Sequence, residues 1–179
     1  MKRLFIYFFF LFSSLYSFSQ DDNPKEFQYQ VSDDDKRYSE LNDFVVVPLK
    51  GLSSDKIYSL LLSNINKTYK NPKEVISATE ENKYIKINGF ADNLYCFSSL
   101  GTPTCTGGNY TLEFYFKDDR MKVEMVSLTN SASYDLKRIG INKKSGSPRG
   151  MFKDTASTIE NYFNTLIKNL TSETVKTDW

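Results

Sequence analysis

The sequence predicts a two-layer α+β domain in the order β-α-β-β-β-β-α, with a mostly antiparallel sheet and two helices on one face. Two segments repeat apolar residues at three- and four-residue spacing, which is typical of helices that bury one side. Two pairs of segments alternate apolar and polar residues around a short polar turn, which is typical of hairpins with one buried face. One-sided helices and a one-sided sheet bury their apolar surfaces against each other, so a two-layer domain follows.

The first predicted elements are a strand and a helix. Asp43–Val47 is aromatic and β-branched and favours a strand, which Pro48 ends. After the turn Gly51-Leu52-Ser53, Ser53 is a good N-cap, and Asn71-Pro72 stops the helix. The helix is expected to bury a stripe of six residues: Ile57, Tyr58, Leu61, Leu62, Ile65 and Tyr69.

The next predicted element is a hairpin of two short strands, Val75–Glu80 and Lys83–Asn88. We expect Glu81-Asn82 to form its loop. That register places the apolar residues of the two strands on one face, with Ile76 opposite Ile87 and Ala78 opposite Ile85.

The segment Gly89–Asn109 is rich in Ser, Thr, Gly and Asn, and we expect it to be a long loop. It contains the two cysteines of the chain, Cys96 and Cys105. Two thiolates alone make a poor zinc site, whereas an exported protein in an oxidising compartment favours a disulfide between them. A free or reactive pair of thiols is the alternative.

The second hairpin gives the clearest strand pattern. Apolar residues alternate with polar ones over Tyr110–Lys117 and again after the turn Asp118-Asp119. A two-residue loop at that turn pairs the apolar residues on one face, with Leu112 opposite Met125, Phe114 opposite Val123 and Phe116 opposite Met121.

The last predicted element is a helix that follows a polar loop, Asn130–Lys153, and is capped by Asp154. The loop is basic over residues 137–153. The helix carries a stripe typical of a core-facing helix: Ile159, Tyr162, Phe163, Leu166, Ile167 and Leu170. In the tail, residues 171–179, the single tryptophan Trp179 either packs back on the domain or anchors a contact.

Residues 1–19 have the pattern of a cleavable signal peptide: two basic residues, an apolar stretch and a serine-rich end. Small residues at Ser17 and Ser19 predict cleavage between Ser19 and Gln20. An uncleaved membrane anchor is the alternative, but the apolar stretch is shorter than the roughly 20 residues that a span needs. We therefore expect an exported protein, periplasmic or secreted, without a transmembrane span. Its parts would be a loosely ordered acidic leader, residues 20–41, and a single α+β domain, residues 42–170.

The composition excludes several kinds of chemistry. There is no histidine, so catalytic arrangements that use an imidazole and histidine metal ligands are absent. The formal net charge is +1, and removing Lys2 and Arg3 with the signal peptide takes it to −1, which gives no reason to expect a nucleic-acid partner.

The acidic run Asp33-Asp34-Asp35 lacks the spacing of a calcium loop. We expect no metal and no cofactor. The acidic leader and the basic segment 137–153 read as solvated segments that can attract each other.

A candidate binding face lies on the side of the sheet opposite the helices. Seven polar and aromatic residues alternate with the apolar ones of the two hairpins: Tyr84, Lys86, Glu113, Tyr115, Lys117, Lys122 and Glu124. Such a face can bind a partner or a saccharide, or it can be the ordinary solvated side of a half-buried sheet. The register also places Glu113 opposite Glu124, and paired carboxylates can serve in acid–base chemistry or remain surface charge.

Several motifs resemble a known family, domain of unknown function 4468, which comprises exported Bacteroidota proteins with a TATA-binding-protein-like fold. The similar segments are Val46–Tyr58, with its Gly-Leu-Ser turn, Asn71–Ile76, Tyr110–Leu112 and Lys117–Arg120. In the last of these Asp119 stands where the family usually has glycine. The resemblance implies an exported setting and a fold but no activity, because the family has none assigned. The namesake of the fold binds DNA, but a fold does not carry a function.

The functional expectation is therefore a small, exported, non-enzymatic binding or interaction module of the bacterial envelope. Its partner would be an envelope protein or a saccharide. The alternative is a hydrolase that uses carboxylates without histidine.

Overall fold

The computed structural model describes residues 23–99, 101–142, 145 and 154–172. The predicted signal peptide, the cleavage position Ser19–Gln20, most of the basic segment 137–153 and the end of the tail with Trp179 lie outside the described residues. Eight strands and three helices form within the described ranges. They are β1 (Tyr29–Val31), β2 (Tyr38–Leu41), β3 (Phe44–Pro48), α1 (Ser54–Thr68), α2 (Pro72–Val75), β4 (Ile76–Glu80), β5 (Tyr84–Ser99), β6 (Thr102–Lys117), β7 (Arg120–Asn130), β8 (Arg138–Gly140) and α3 (Thr155–Thr171).

The main layer is an antiparallel five-stranded sheet in the order β3-β7-β6-β5-β4. Helix α1 packs on β6 and β7, α3 packs on β5, and the two helices contact each other. The core lies between these layers, where both predicted helical stripes meet the inward residues of the strands. The predicted α+β class with a largely antiparallel sheet is confirmed.

The predicted register of the second hairpin is confirmed. Leu112 pairs with Met125, Phe114 with Val123 and Phe116 with Met121, and all six side chains are buried. A β-bulge between Thr111 and Leu112 shifts the register further along the pair. This hairpin forms the centre of the core, and it fixes which side of β6 and β7 faces away from the helices.

The register of the first hairpin differs in part from the prediction. Ile76 lies opposite Ile87 as expected, but Ala78 lies opposite Lys86, and Thr79 lies opposite Ile85. The loop has three residues instead of two, because Glu80 pairs with Tyr84 and Asn82 adopts a φ of 60°. The extra residue shifts the pairing, and an irregularity between Ile76 and Ala78 restores it.

The loop predicted over Gly89–Asn109 is wrong, because the two central strands continue through it. β5 and β6 stay paired beyond a register shift between Ala91 and Tyr95, and Cys96 lies directly opposite Cys105 with a Cα–Cα distance of 4.1 Å. The two sulfurs lie at disulfide distance. The composition of the segment is typical of a loop. A hairpin that is already paired nevertheless extends through polar residues, because each further residue pair gives hydrogen-bond partners to backbone N–H and C=O groups on both strands.

Two glycines in this hairpin let aromatic rings lie against the backbone. A Cβ atom at Gly89 would overlap the buried ring of Tyr110, and one at Gly107 would overlap the ring of Phe90. The glycines that suggest a loop in the sequence therefore allow aromatic rings to lie against the backbone of a sheet.

The loosely ordered leader predicted over residues 20–41 is structured from residue 23 onward. β1, β2 and β8 form a separate three-stranded antiparallel sheet. Phe27 is fully buried against Phe163, and its backbone N–H and C=O both bond to the side-chain amide of Asn164, at 2.8 and 3.0 Å. The apolar residues of the leader are too widely spaced to give a periodic pattern, which is why the sequence predicts no element here.

The acidic leader and the basic segment 137–153 attract each other, as expected. Arg138 lies 3.1 Å from Asp34 and 3.0 Å from Glu40, and Lys137 lies 2.6 Å from Asp43. The carboxylates of Asp34 and Asp43 are largely exposed, so water and salt screen these pairs and each contributes little to stability. The pairs hold β8, a strand inside the predicted loop, next to β2.

Candidate binding face

The open face is the side of the five-stranded sheet that faces away from α1 and α3. Residues next to the candidate positions, such as Ile85, Phe114 and Val123, are fully buried on the helix side, so strand alternation places the candidates on the open face. All seven residues that the sequence predicts for this face lie on β5, β6 and β7: Tyr84, Lys86, Glu113, Tyr115, Lys117, Lys122 and Glu124.

Glu113 is the centre of a network on the open face. Its carboxylate accepts a hydrogen bond from the Tyr115 hydroxyl at 2.6 Å and lies 3.0 Å from the Lys86 ammonium. The hydrogen bond from Tyr115, together with Lys86, lowers the pKa of Glu113 below its ordinary value. Burial, followed by the nearby carboxylate of Glu113, raises the pKa of Tyr84 to about 12. At neutral pH the network therefore holds one carboxylate among neutral hydroxyls and a cation.

Two tyrosine rings form the aromatic part of the open face. Tyr84 and Tyr115 pair across β5 and β6, with ring centroids 5.2 Å apart and planes inclined by 49°. Tyr115 is 38% exposed, and its hydroxyl is fixed by Glu113. A partly exposed ring with a fixed polar end is a common anchor in binding surfaces.

A second charge pair lies on β7. The Lys122 ammonium is 2.6 Å from the Glu124 carboxylate and stands 4.9 Å from the ring centroid of Phe44 and 5.5 Å from that of Tyr115. Glu113 and Glu124 lie opposite each other, as the sequence predicts, but each is paired with a lysine.

A shallow depression of about 350 Å³ adjoins the network, at the β3 side of the open face. We call it the basic depression; it is lined by Asn23, Phe44, Val46, Tyr115, Lys117, Arg120 and Lys122. Sequence reasoning missed Phe44, Val46 and Arg120. The signal was present in β3, where Val45 is fully buried and so its neighbours point the other way, but four successive apolar residues conceal that alternation.

The β6–β7 turn is fixed by the turn that precedes α1. The Asp119 carboxylate accepts a hydrogen bond from the Gly51 N–H at 2.7 Å, and Asp119 itself has a φ of 65°. The Asp118 carboxylate accepts from the Ser54 N–H at 2.9 Å, so Asp118 caps α1 where the side chain of Ser53 does not. Two of the motifs that carry the family resemblance therefore meet in space, and they hold the strand ends that carry Lys117 and Arg120.

The comparison with known proteins rests on the fold. No protein-family profile and no curated protein match the chain. A crystal structure of a DUF4468 family protein from Bacteroides ovatus is similar, with a TM-score of 0.51 and 16% sequence identity over 76% of this chain and 90% of that chain. The chain has the fold of a DUF4468 family protein. A TBP-like protein from Parabacteroides distasonis aligns at 14% identity and a TM-score of 0.48, over 71% of this chain and 87% of that one. The resemblance seen in the sequence is confirmed at the level of the fold.

A cluster of three tyrosine hydroxyls lies on the other side of the sheet in this DUF4468-like fold. The Tyr110 hydroxyl is 2.8 Å from that of Tyr69 and 3.4 Å from that of Tyr162. Burial raises the pKa of Tyr110 far above its ordinary value and that of Tyr69 to about 12, so these two hydroxyls stay protonated at neutral pH. Because the three hydroxyls satisfy one another between α1, β6 and α3, the cluster fixes the helices on the sheet.

Across the described ranges, no group of three or more His, Cys, Asp or Glu side chains is arranged to hold a metal ion. None of the helices described for this chain is long and apolar enough to cross a membrane.

Proposed function

We propose that the protein is a small, exported, non-enzymatic binding module of the bacterial envelope, and that the open face is its binding surface. The observation that carries this proposal is the network around Glu113, because it holds charged and aromatic side chains in one arrangement on a face of the sheet that no helix of the described residues covers. Side chains that are fixed before binding lose little conformational entropy when a partner docks.

The charges of the open face favour a protein partner. Lysines and glutamates on β5, β6 and β7 surround the partly exposed ring of Tyr115, and an aromatic anchor within a polar rim is typical of protein interfaces. A saccharide is the second candidate ligand, because the rings of Tyr84 and Tyr115 lie next to a carboxylate that can accept hydroxyl protons.

The carboxylate-based hydrolase is the weaker alternative. A general acid requires a carboxyl group with a raised pKa, whereas the pKa of Glu113 is lowered by its hydrogen-bond donors. The carboxylate of Glu124 forms an ion pair with Lys122. The open face is also broad and shallow where a hydrolase would enclose its substrate.

Export is supported by the cysteine pair. Cys96 and Cys105 lie at disulfide distance across β5 and β6, and disulfides persist in oxidising compartments. This agrees with the signal peptide that the sequence predicts.

Photo-crosslinking in cells that export the protein tests the proposal. Benzoylphenylalanine replaces Tyr115 or Lys117 on the open face, and in a matched control it replaces Tyr134, which is 70% exposed outside the five-stranded sheet. Both open-face positions are expected to give the same discrete crosslinked species, whose mass and composition identify a protein or a glycan.

The control position is expected to give no such species. Absence of a discrete adduct at Tyr115 and Lys117, or the same adducts from Tyr134, would contradict the proposal.

A further inference from the structure

We propose that the basic depression binds an acidic peptide in an extended conformation, with carboxylates at alternating positions. The proposal rests on the proposed function, since it names the ligand for one part of the open face.

The charge of the depression is positive and incompletely neutralised. Lys117 and Arg120 are exposed, and neither forms an ion pair with a carboxylate of the described residues. Lys122 is shared between the Glu124 carboxylate and the rings of Phe44 and Tyr115. Two cations without carboxylate partners next to a partly neutralised third favour an anionic ligand.

The spacing of the cations fits an extended chain. Arg120 and Lys122 are two residues apart on β7 and point to the same face, and Lys117 lies opposite Arg120 across the turn. Two residues of a strand span about 6.7 Å. Side chains at positions i and i+2 of an extended peptide have the same spacing, so two carboxylates at alternating positions reach Arg120 and Lys122 together.

The floor of the depression is apolar. Phe44 and Val46 project from β3, and the ring of Tyr115 projects from β6. An apolar floor lowers the local dielectric, which strengthens ion pairs at the rim, and it accommodates the methylene groups of glutamate side chains. Glutamate-containing peptides are therefore the fitting class of ligand.

Fluorescence anisotropy with two labelled heptapeptides of identical composition tests the spacing. In Glu-Ser-Glu-Ser-Glu-Ser-Ser the carboxylates share one side of an extended chain, whereas in Glu-Ser-Ser-Glu-Ser-Ser-Glu neighbouring carboxylates point to opposite sides. We expect the first peptide to bind about fivefold more tightly than the second, and we expect its binding to weaken steeply between 50 mM and 500 mM salt.

The matched variants test the site. The double variant Lys117→Gln/Arg120→Gln is expected to weaken binding of the alternating peptide about tenfold. The control Lys70→Gln/Lys73→Gln removes the same charge from exposed residues beside α2 and β4, at the opposite edge of the sheet, and is expected to leave binding unchanged. All four side chains are exposed, so thermal unfolding of both variants should match that of the wild type.

Three results would overturn the proposal. These are equal binding of the two heptapeptides, equal effects of the two double variants, or no binding of either peptide. Since Asp21 and Asp22 directly precede Asn23, the titration is repeated with Asp21→Asn/Asp22→Asn. Binding by that variant but not by the wild type would also overturn the proposal, because it would assign the depression to the chain's own leader. A crosslink from Tyr115 without peptide binding would refute this inference and leave the proposed function standing.

Discussion

At the scale of single residues, Glu113 shows how a surface carboxylate becomes part of an ordered arrangement. Its side chain is 15% exposed although it lies on the uncovered side of the sheet, because Lys86, Tyr84 and Tyr115 surround it. Removing the carboxylate leaves the Tyr115 hydroxyl and the Lys86 ammonium without their acceptor. The interaction therefore contributes to stability as well as to the shape of the proposed binding surface.

The lowered pKa of Glu113 fixes the sign of a pH dependence. Since the folded pKa lies below that of the unfolded chain, the stabilisation is complete above about pH 4.3 and is lost as the pH falls through the folded pKa. Glu113→Gln is expected to lower the free energy of unfolding by about 1 kcal/mol at pH 7, and the difference from wild type should shrink below about pH 4.

Urea denaturation at pH 7 and pH 3 measures this difference. Glu80→Gln is the control, because Glu80 pairs with Lys83 at an exposed site and its loss should leave the free energy of unfolding unchanged within error. If Glu113→Gln lowers the free energy of unfolding by the same amount at both pH values, the ionised carboxylate of Glu113 is not stabilised by the fold.

At the scale of elements, the sequence predicts what is locally periodic and misses what depends on a distant partner. Both long helices and the second hairpin follow from apolar spacing, and even the Glu113–Glu124 register is recovered. The first hairpin is recovered in part, because loop length and bulges depend on backbone geometry that apolar spacing does not encode.

The missed elements are held by long-range contacts. β1 is held on α3 by Asn164 and Glu160, which accept hydrogen bonds from the backbone of Phe27 and Tyr29, and β2 pairs with β1. The outer half of the β5–β6 hairpin is polar, but Thr155 at the start of α3 donates to the Cys96 carbonyl at 2.6 Å. The candidate face was predictable because alternation determines it, whereas the basic depression was not, because it needs β3 placed beside β7.

The cysteine pair makes a prediction at this scale. A disulfide that closes a loop with a sequence separation of 9 restricts the unfolded chain, so reduction should lower the free energy of unfolding by about 2.5 kcal/mol. Denaturation with and without reductant measures the loss. The variant Cys96→Ser/Cys105→Ser should be insensitive to reductant. Alkylation of both cysteines without reductant, detected by intact mass, would contradict the disulfide.

At the scale of the whole molecule, the two faces of the sheet have different roles. The helix side is covered by α1 and α3 and stabilised by the core, with the hydroxyl cluster of Tyr69, Tyr110 and Tyr162 between the layers. The opposite side has no helix of the described residues packed on it and carries the network around Glu113 and the basic depression. The proposed function takes this ordered side of the sheet as a binding surface, and that is its central claim.

Hydroxyl-radical footprinting tests that claim most directly, by comparing the purified protein with the protein in intact cells that produce it. Tyr115 on the open face and Tyr134 away from it are both exposed in the isolated molecule, at 38% and 70%. If the open face binds a partner, oxidation of Tyr115 should be severalfold lower in the cells than in the purified protein, while oxidation of Tyr134 stays the same. Equal oxidation of Tyr115 in both preparations, with Tyr134 as the internal reference, would contradict the claim.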